Sequence, residues 1–236
     1  MYVQPIFMRL VEDTMFRACA IGVALSLSAG VAYGGLLTNG GFEDAPSTVG
    51  NVNGNDFATM PGAGGNGSWD VWTELPGWTT TNGRGVEIQT RGTIGGADPK
   101  GGDFYVELDS HPRGGSNSEI TQEVDLEPGH YRLSYWYQPR TSGDGDNVLA
   151  VLWNDTEIER HDQTSASQST WVQYFADIHV ETEDTYKLSF LADGNENTLG
   201  ALLDDVELSQ VPLPGALPLF GAGLAGLAYL RRRRNT

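Results

Sequence analysis

The 236-residue sequence predicts an all-β fold, an antiparallel β-sandwich, on two observations. Apolar and polar residues alternate over many short runs, the period of half-buried strands. Those runs are separated by clusters of Gly, Asn, Asp and Pro, and no stretch of the body keeps a helical period.

Taken in chain order, strands are expected at 85–90, 103–109, 118–126, 130–138, 147–153, 170–180, 185–192 and 201–208. In 130–138 the alternation places Tyr131, Leu133, Tyr135 and Tyr137 on one face, with Arg132, Ser134, Trp136 and Gln138 on the other. Only one of those faces can be the core, so either Trp136 or Tyr135 and Tyr137 must line the outer sheet or a cleft. Run 185–192 groups Tyr186, Leu188 and Phe190 in the same way. Glu127-Pro128-Gly129 reads as a turn between two strands, and Asn154-Asp155 as a hairpin turn after Trp153. Residues 45–68, rich in Gly and Asn, read as a flexible insertion within a single domain spanning 35–210.

Both ends differ from this body. Met15-Phe16-Arg17 opens an apolar stretch, 18–31, followed by Ala32-Tyr33-Gly34, so 1–34 reads as a signal peptide cut after Gly34. Glu12 and Asp13 are unusual in such a leader, which leaves Met8 or Met15 as the alternative start. Cys19, the only cysteine, lies within it, so the mature chain is expected to hold no disulfide and no thiol chemistry. At the other end Val211-Pro212-Leu213-Pro214-Gly215 precedes an uncharged run, 215–230, and then Arg231, Arg232, Arg233 and Arg234. As a helix that run reaches roughly 24 Å, against ~30 Å of hydrocarbon. Arginine stems close the gap by snorkelling. The arginine cluster places the C-terminus in the cytoplasm and the body across the membrane.

This tail, 211–236, resembles the PEP-CTERM sorting signals, most closely the variant written V-P-L-P-A, with Gly215 where the pattern usually has alanine. The resemblance implies export through the inner membrane and transient anchoring there, with the domain on the periplasmic side. It further implies processing by an exosortase-type membrane protease and release to the cell surface or extracellular matrix. An anchor that is never cut is the alternative.

Charge narrows the partners. The chain has 14 Lys+Arg against 31 Asp+Glu, a net charge of −17. Arg9, Arg17 and the four terminal arginines sit in the tails, so the body is more acidic still. Such a surface repels nucleic acid and anionic lipid, attracts divalent cations and leaves neutral polysaccharide unopposed. Plain solubility of an exported protein explains the same excess.

Four short motifs recur in order across the body: Leu37 to Asp44 (LTNGGFED), Leu75-Pro76-Gly77-Trp78, Tyr105 to Asp109 (YVELD) and Leu202 to Leu208 (LLDDVEL). Together they resemble the galactose-binding-domain-like jelly rolls, which include many carbohydrate-binding modules. The resemblance implies a jelly roll, a carbohydrate ligand, and a structural calcium ion between the opening motif and the closing strand. Its candidate ligands are Glu43, Asp204 and, less favoured, Asp205. The residues are consistent with this: a period of two puts Asp204 on one face with Leu202, Val206 and Leu208, where an unpaired carboxylate is costly. Calcium, taking six to eight oxygens, would relieve that cost; a turn cap made by Asp204 is the ordinary alternative. The loops 144–147 and 193–197 lack a complete EF-hand pattern and read as turns.

Sugar recognition needs an aromatic surface and a few fixed polar groups. Trp78 and Trp136 are the aromatic candidates, with Asp109, His111 and Arg113 around the loop 110–117, and Arg140, as hydroxyl contacts. Core packing for the tryptophans and a solvated turn for the loop are the ordinary readings. Glu87 and Glu107 are conceivable glycosidase carboxylates. The four histidines show no metal-site spacing, and neither a nucleophile elbow nor a phosphate-binding loop is present. No catalytic residues are assigned. The sequence thus predicts an exported, non-enzymatic, envelope- or exopolysaccharide-associated binding protein. A carbohydrate-active hydrolase or lyase, and a structural biofilm-matrix protein without a pocket, are the alternatives.

Overall fold

In a computed structural model the described residues are 35–44, 46, 50, 52–55, 57, 60, 67–94, 97–163, 170–212 and 231. The expected signal peptide, the membrane helix over 215–230 and most of the sorting motif lie outside them. Among the described residues no helix is long and apolar enough to cross a membrane.

Eleven strands form among the described residues: β1 (Trp69–Trp72), β2 (Thr79–Asn82), β3 (Val86–Thr90), β4 (Phe104–Glu107), β5 (Glu119–Leu126), β6 (Gly129–Gln138), β7 (Val148–Trp153), β8 (Thr156–Asp162), β9 (Val172–Val180), β10 (Asp184–Ala192) and β11 (Leu202–Gln210). They pair antiparallel into a six-stranded sheet, β1-β3-β4-β11-β6-β9, and a five-stranded sheet, β2-β5-β10-β7-β8. This is the two-layer sandwich that the alternation predicts. Glu127-Pro128-Gly129 is a corner that carries the chain from the five-stranded to the six-stranded sheet, rather than a hairpin. Asn154 and Asp155 do turn a hairpin, both with positive φ, 47° and 61°.

The core lies between the sheets. Tyr131, Leu133, Tyr135 and Tyr137 of β6 face Leu188 and Phe190 of β10 within one buried cluster. Trp136 therefore lies on the outer face, which settles the choice left open by the sequence. Burying a side chain of this size contributes roughly 1.5–3 kcal/mol, so the tyrosine face fixes the register of β6.

The segment 45–68 departs from a flexible insertion where it is described. Phe57 and Met60 are buried in the core, and the Asp70 carboxylate accepts the backbone N–H groups of Val52 (2.7 Å), Asn53 (3.1 Å) and Asn55 (2.8 Å). Asp70 thus pins this loop to β1.

The closing strand departs from a simple period of two. A bulge falls between Asp204 and Glu207, with Asp205 at φ 51°. Leu202 and Asp204 therefore lie on the outer face of the sheet, while Leu203, Val206 and Leu208 face the core. The opening motif locks onto this bulge: Val206 N–H donates to the Gly40 carbonyl at 2.8 Å, and any Cβ at Gly40 would overlap the Val206 carbonyl. Phe42 then fills the core beside Trp78, with ring centroids 5.9 Å apart.

Candidate functional site

The candidate site residues concentrate on the outer face of the six-stranded sheet and the loops that flank it. Register aligns Val71, Glu87, Glu107, Leu202 and Gln138 in one rung, and Trp69, Gln89 and Tyr105 in the next. The middle of this face is not open: Tyr105 and Leu202 pack with Ala97 in a second apolar cluster, covered by Ile94 and Trp171. Trp171 crosses Tyr105 edge-on and donates its indole N–H to the Asp98 carbonyl at 2.8 Å.

Beside that cover is a buried polar cluster of which the sequence paired only Glu87 and Glu107. Gln89 donates from its amide nitrogen to Glu87 (2.7 Å) and Glu107 (2.6 Å). Arg140 reaches both Glu107 oxygens, at 2.7 and 2.5 Å, and the Thr198 carbonyl at 2.9 Å; the Gly200 N–H donates to Glu107 at 2.6 Å. His111 closes the other end, its Nδ1 2.7 Å from Glu87, while its ring packs against Trp69 at 4.5 Å. Burial pushes the Glu107 carboxyl up and the charge of Glu87 adds to the rise, with Arg140 opposing both. Relative exposure is 1% for Glu87 and 0% for Glu107. A substrate cannot sit between two carboxylates closed in this way, so the pair braces the strands and loops around it. Arg140, expected as a ligand contact, is instead the counter-ion of Glu107.

Asp109 is corrected in the same sense. It is buried, accepts the backbone N–H groups of Asn197 (3.2 Å) and Leu199 (2.9 Å) and the Ser116 hydroxyl, and so ties two loops together. The acidic loops expected as turns interlock: Asn195 donates to Asp146 at 3.0 Å and Asn197 to Asp146 at 2.6 Å. His111 is half-buried, its Nδ1 spent on Glu87, while Arg113 is exposed on the loop 110–117, where Arg84 donates to the Gly114 carbonyl at 3.0 Å.

The two tryptophan candidates separate. Trp78 is a core residue, its indole N–H spent on the Asn39 carbonyl at 3.0 Å. Trp136 stays on the outer face with the Lys100 ammonium 4.0 Å from its ring centroid, a cation–π contact. Its diagonal neighbour across β6 and β9 is Phe175, paired with Ser134 and 55% exposed. Diagonal cross-strand rings are within reach of one another. The sequence does not single out Phe175, because the adjacent Tyr174 competes for the inward face; only the register of β9 against β6 turns Phe175 out and Tyr174 towards the core.

The calcium candidates meet on one segment. Glu43 accepts the N–H groups of Asp103 and Phe104, both at 2.9 Å. Asp204 accepts those of Lys100 (2.6 Å), Gly101 (3.4 Å) and Asp205 (2.7 Å). Gly102 has φ 59°, and a Cβ there would collide with the Glu43 carboxylate. Burial pushes the Asp204 carboxyl up to about 7, against the lowering effect of those backbone N–H groups, and burial raises Glu43 as well. Asp205 is exposed, with its carboxylate beside Gly101. Among the described residues no three His, Cys, Asp or Glu side chains form a ready metal cage. The donor set fits an oxygen-seeking cation only if main-chain carbonyls of the 99–103 segment complete it.

Similar folds occur among solved structures. TmCBM61 in complex with beta-1,4-galactotriose is 18% identical with a TM-score of 0.44, over 76% of this chain and 100% of that one. A family 35 carbohydrate-binding module from Clostridium thermocellum is 16% identical with a TM-score of 0.41, over 61% and 99%. The Stig cyclase Fisc from Fischerella sp. TAU is 16% identical with a TM-score of 0.48, over 75% and 97%. No curated protein matches the chain. At residues 210–234, beginning on the last residue of β11, the chain carries a match to the PEP-CTERM protein-sorting motif.

Proposed function

We propose that this is an exported, exosortase-sorted protein whose sandwich binds a neutral polysaccharide on the outer face of β6 and β9. The observation that carries the reading is Phe175, more than half exposed on a regular strand and diagonal to Trp136. An exposed ring beside a half-buried one on the outer face of a sheet suits the apolar face of a pyranose. Gln173, Ser134, Arg132 and Asp177 alternate with them as hydrogen-bonding groups. The net charge of −17 favours an uncharged chain over an anionic one. Residues 130 to 136 of an extended strand span roughly 20 Å, enough for several sugar units.

The test is isothermal titration of the protein against a panel of neutral and acidic polysaccharides. Saturable binding to a neutral glycan, weakened at least about tenfold in Phe175→Ala and Trp136→Ala, supports the reading. Absence of binding to every glycan overturns it in favour of a structural matrix protein. For sorting, mass spectrometry of the mature C-terminus in the native host should find an end near Val211–Gly215; an intact Thr236 would mean a permanent anchor. On the same proposal the sandwich would lie on the periplasmic side before release.

Calcium belongs to this proposal as a structural element. Glu43 and Asp204, with Asp205 and main-chain oxygens of the 99–103 segment, would hold it. Bound there, it would supply the positive charge that the buried Asp204 lacks and tie the first motif to the last strand.

A further inference from the structure

We propose that His130 and His179 form a binding site for a late first-row divalent metal ion, Cu(II), Ni(II) or Zn(II), at the root of the sorting tail. The two residues are directly paired across β6 and β9, and both are exposed. Their rings stack at 4.5 Å with an interplanar angle of 13°, so two imidazoles stand side by side, and rotation of the exposed rings about their side-chain bonds brings a nitrogen of each onto one ion. Imidazole nitrogen is the ligand these ions prefer, whereas calcium and magnesium prefer oxygen. The pair is therefore chemically distinct from the Glu43 and Asp204 candidates, and it does not depend on glycan binding.

The surroundings suit a cation. A groove of about 690 Å³ opens beside the pair, lined by His130, His179, Glu181, Gln210, Val211 and Pro212 among others, with no lysine or arginine in its wall. In the next rung Arg132 is occupied by Asp177 at 2.8 Å, leaving no free positive charge facing the histidines from their own strands. Among the described residues no third His, Cys, Asp or Glu completes a cage, so the pair supplies two ligands and water the remainder. Such a site is open and exchangeable.

Position gives the site its consequence. The Val211 N–H donates to the His130 carbonyl at 2.7 Å, so the first residue of the sorting motif hangs from the same residue that would hold the metal. A metal bridging β6 and β9 would stiffen β6, the strand that pairs with the tail-bearing β11 and holds Val211 through the His130 carbonyl.

The experiment uses the full chain in detergent with Cu(II) for electron paramagnetic resonance and Ni(II) for calorimetry. The expected result is nitrogen coupling from two imidazoles, with affinity falling at least about tenfold in His130→Asn and in His179→Asn, and unchanged in His111→Gln. Metal-free melting curves establish that both variants fold. Equal affinity in the wild type and the double variant, or nitrogen coupling that survives in it, overturns the proposal. So does a loss seen only with His111→Gln.

Discussion

His161 Nε2 lies 2.6 Å from the Tyr135 hydroxyl, a polar pair enclosed within the sandwich. Tyr174 and Tyr137 pack around the same imidazole, at 4.0 and 4.8 Å between centroids. Burial depresses the His161 pKa from 6.5 to about 4. In the interval between those values the unfolded chain binds a proton that the folded chain refuses. Stability is therefore full above pH 6.5 and is lost as the pH falls towards 4. Thermal melts between pH 7 and 4.5 should show His161→Gln with a shallower acid dependence than the wild type. Parallel curves would mean that His161 does not govern the acid response.

Asp204 works in the opposite direction. Its folded pKa of about 7 exceeds the ordinary 3.8. Without metal, the folded state holds a proton there that the unfolded state releases, so its contribution is full below 3.8 and is lost as the pH rises through 7. Asp204→Asn should consequently raise the melting temperature at pH 8 in chelator. Calcium should raise that of the wild type, increasingly with concentration, and leave the variant unmoved. A variant that keeps the full calcium response would place the ion elsewhere.

The Glu107–Arg140 pair gives a third test. Removing Arg140 leaves a fully buried carboxylate without its counter-ion, a loss of roughly 3–5 kcal/mol. At about 2–4 °C per kcal/mol for a domain of this size, Arg140→Ala should melt well below the wild type. The double variant Arg140→Met, Glu107→Gln should recover much of that loss. Urea unfolding of the two variants measures the difference, and an Arg140→Ala protein as stable as the wild type would contradict the bracing role.

Phe175→Ala should do the reverse, changing stability by less than about 0.5 kcal/mol while weakening glycan binding. Calorimetry and a melting curve on one preparation separate the two effects. A large loss of stability would show that Phe175 is a packing residue.

Eight strands were legible in the sequence because each alternates apolar and polar residues, and the structure returns all of them within a few positions. The three that were not, β1, β2 and β8, are all edge strands. Thr79–Asn82 has no apolar residue, and Thr156–Asp162 is mostly exposed, so neither carries the pattern that burial imposes. The site was legible in part. Trp136 could be placed on one of two faces, but choosing the face required β10 and its Phe190. The link between Glu87, Gln89, Glu107 and Arg140 joins two strands and a loop far apart in the chain, and local spacing carries no trace of it. The bulge at Asp205 broke the inference about Asp204, since one extra residue reverses which face every earlier side chain occupies.

The last strand does not lie at a margin. β11 runs between β4 and β6, and its final residues are held by β6 on one side and by the Leu36 N–H, 2.9 Å from the Leu208 carbonyl, on the other. A tether leaving from Gln210 therefore hands any tension to the middle of the sheet. Drag on the body while its tail is held in a bilayer would be borne in shear by hydrogen bonds on both flanks together, rather than peeling one edge open bond by bond.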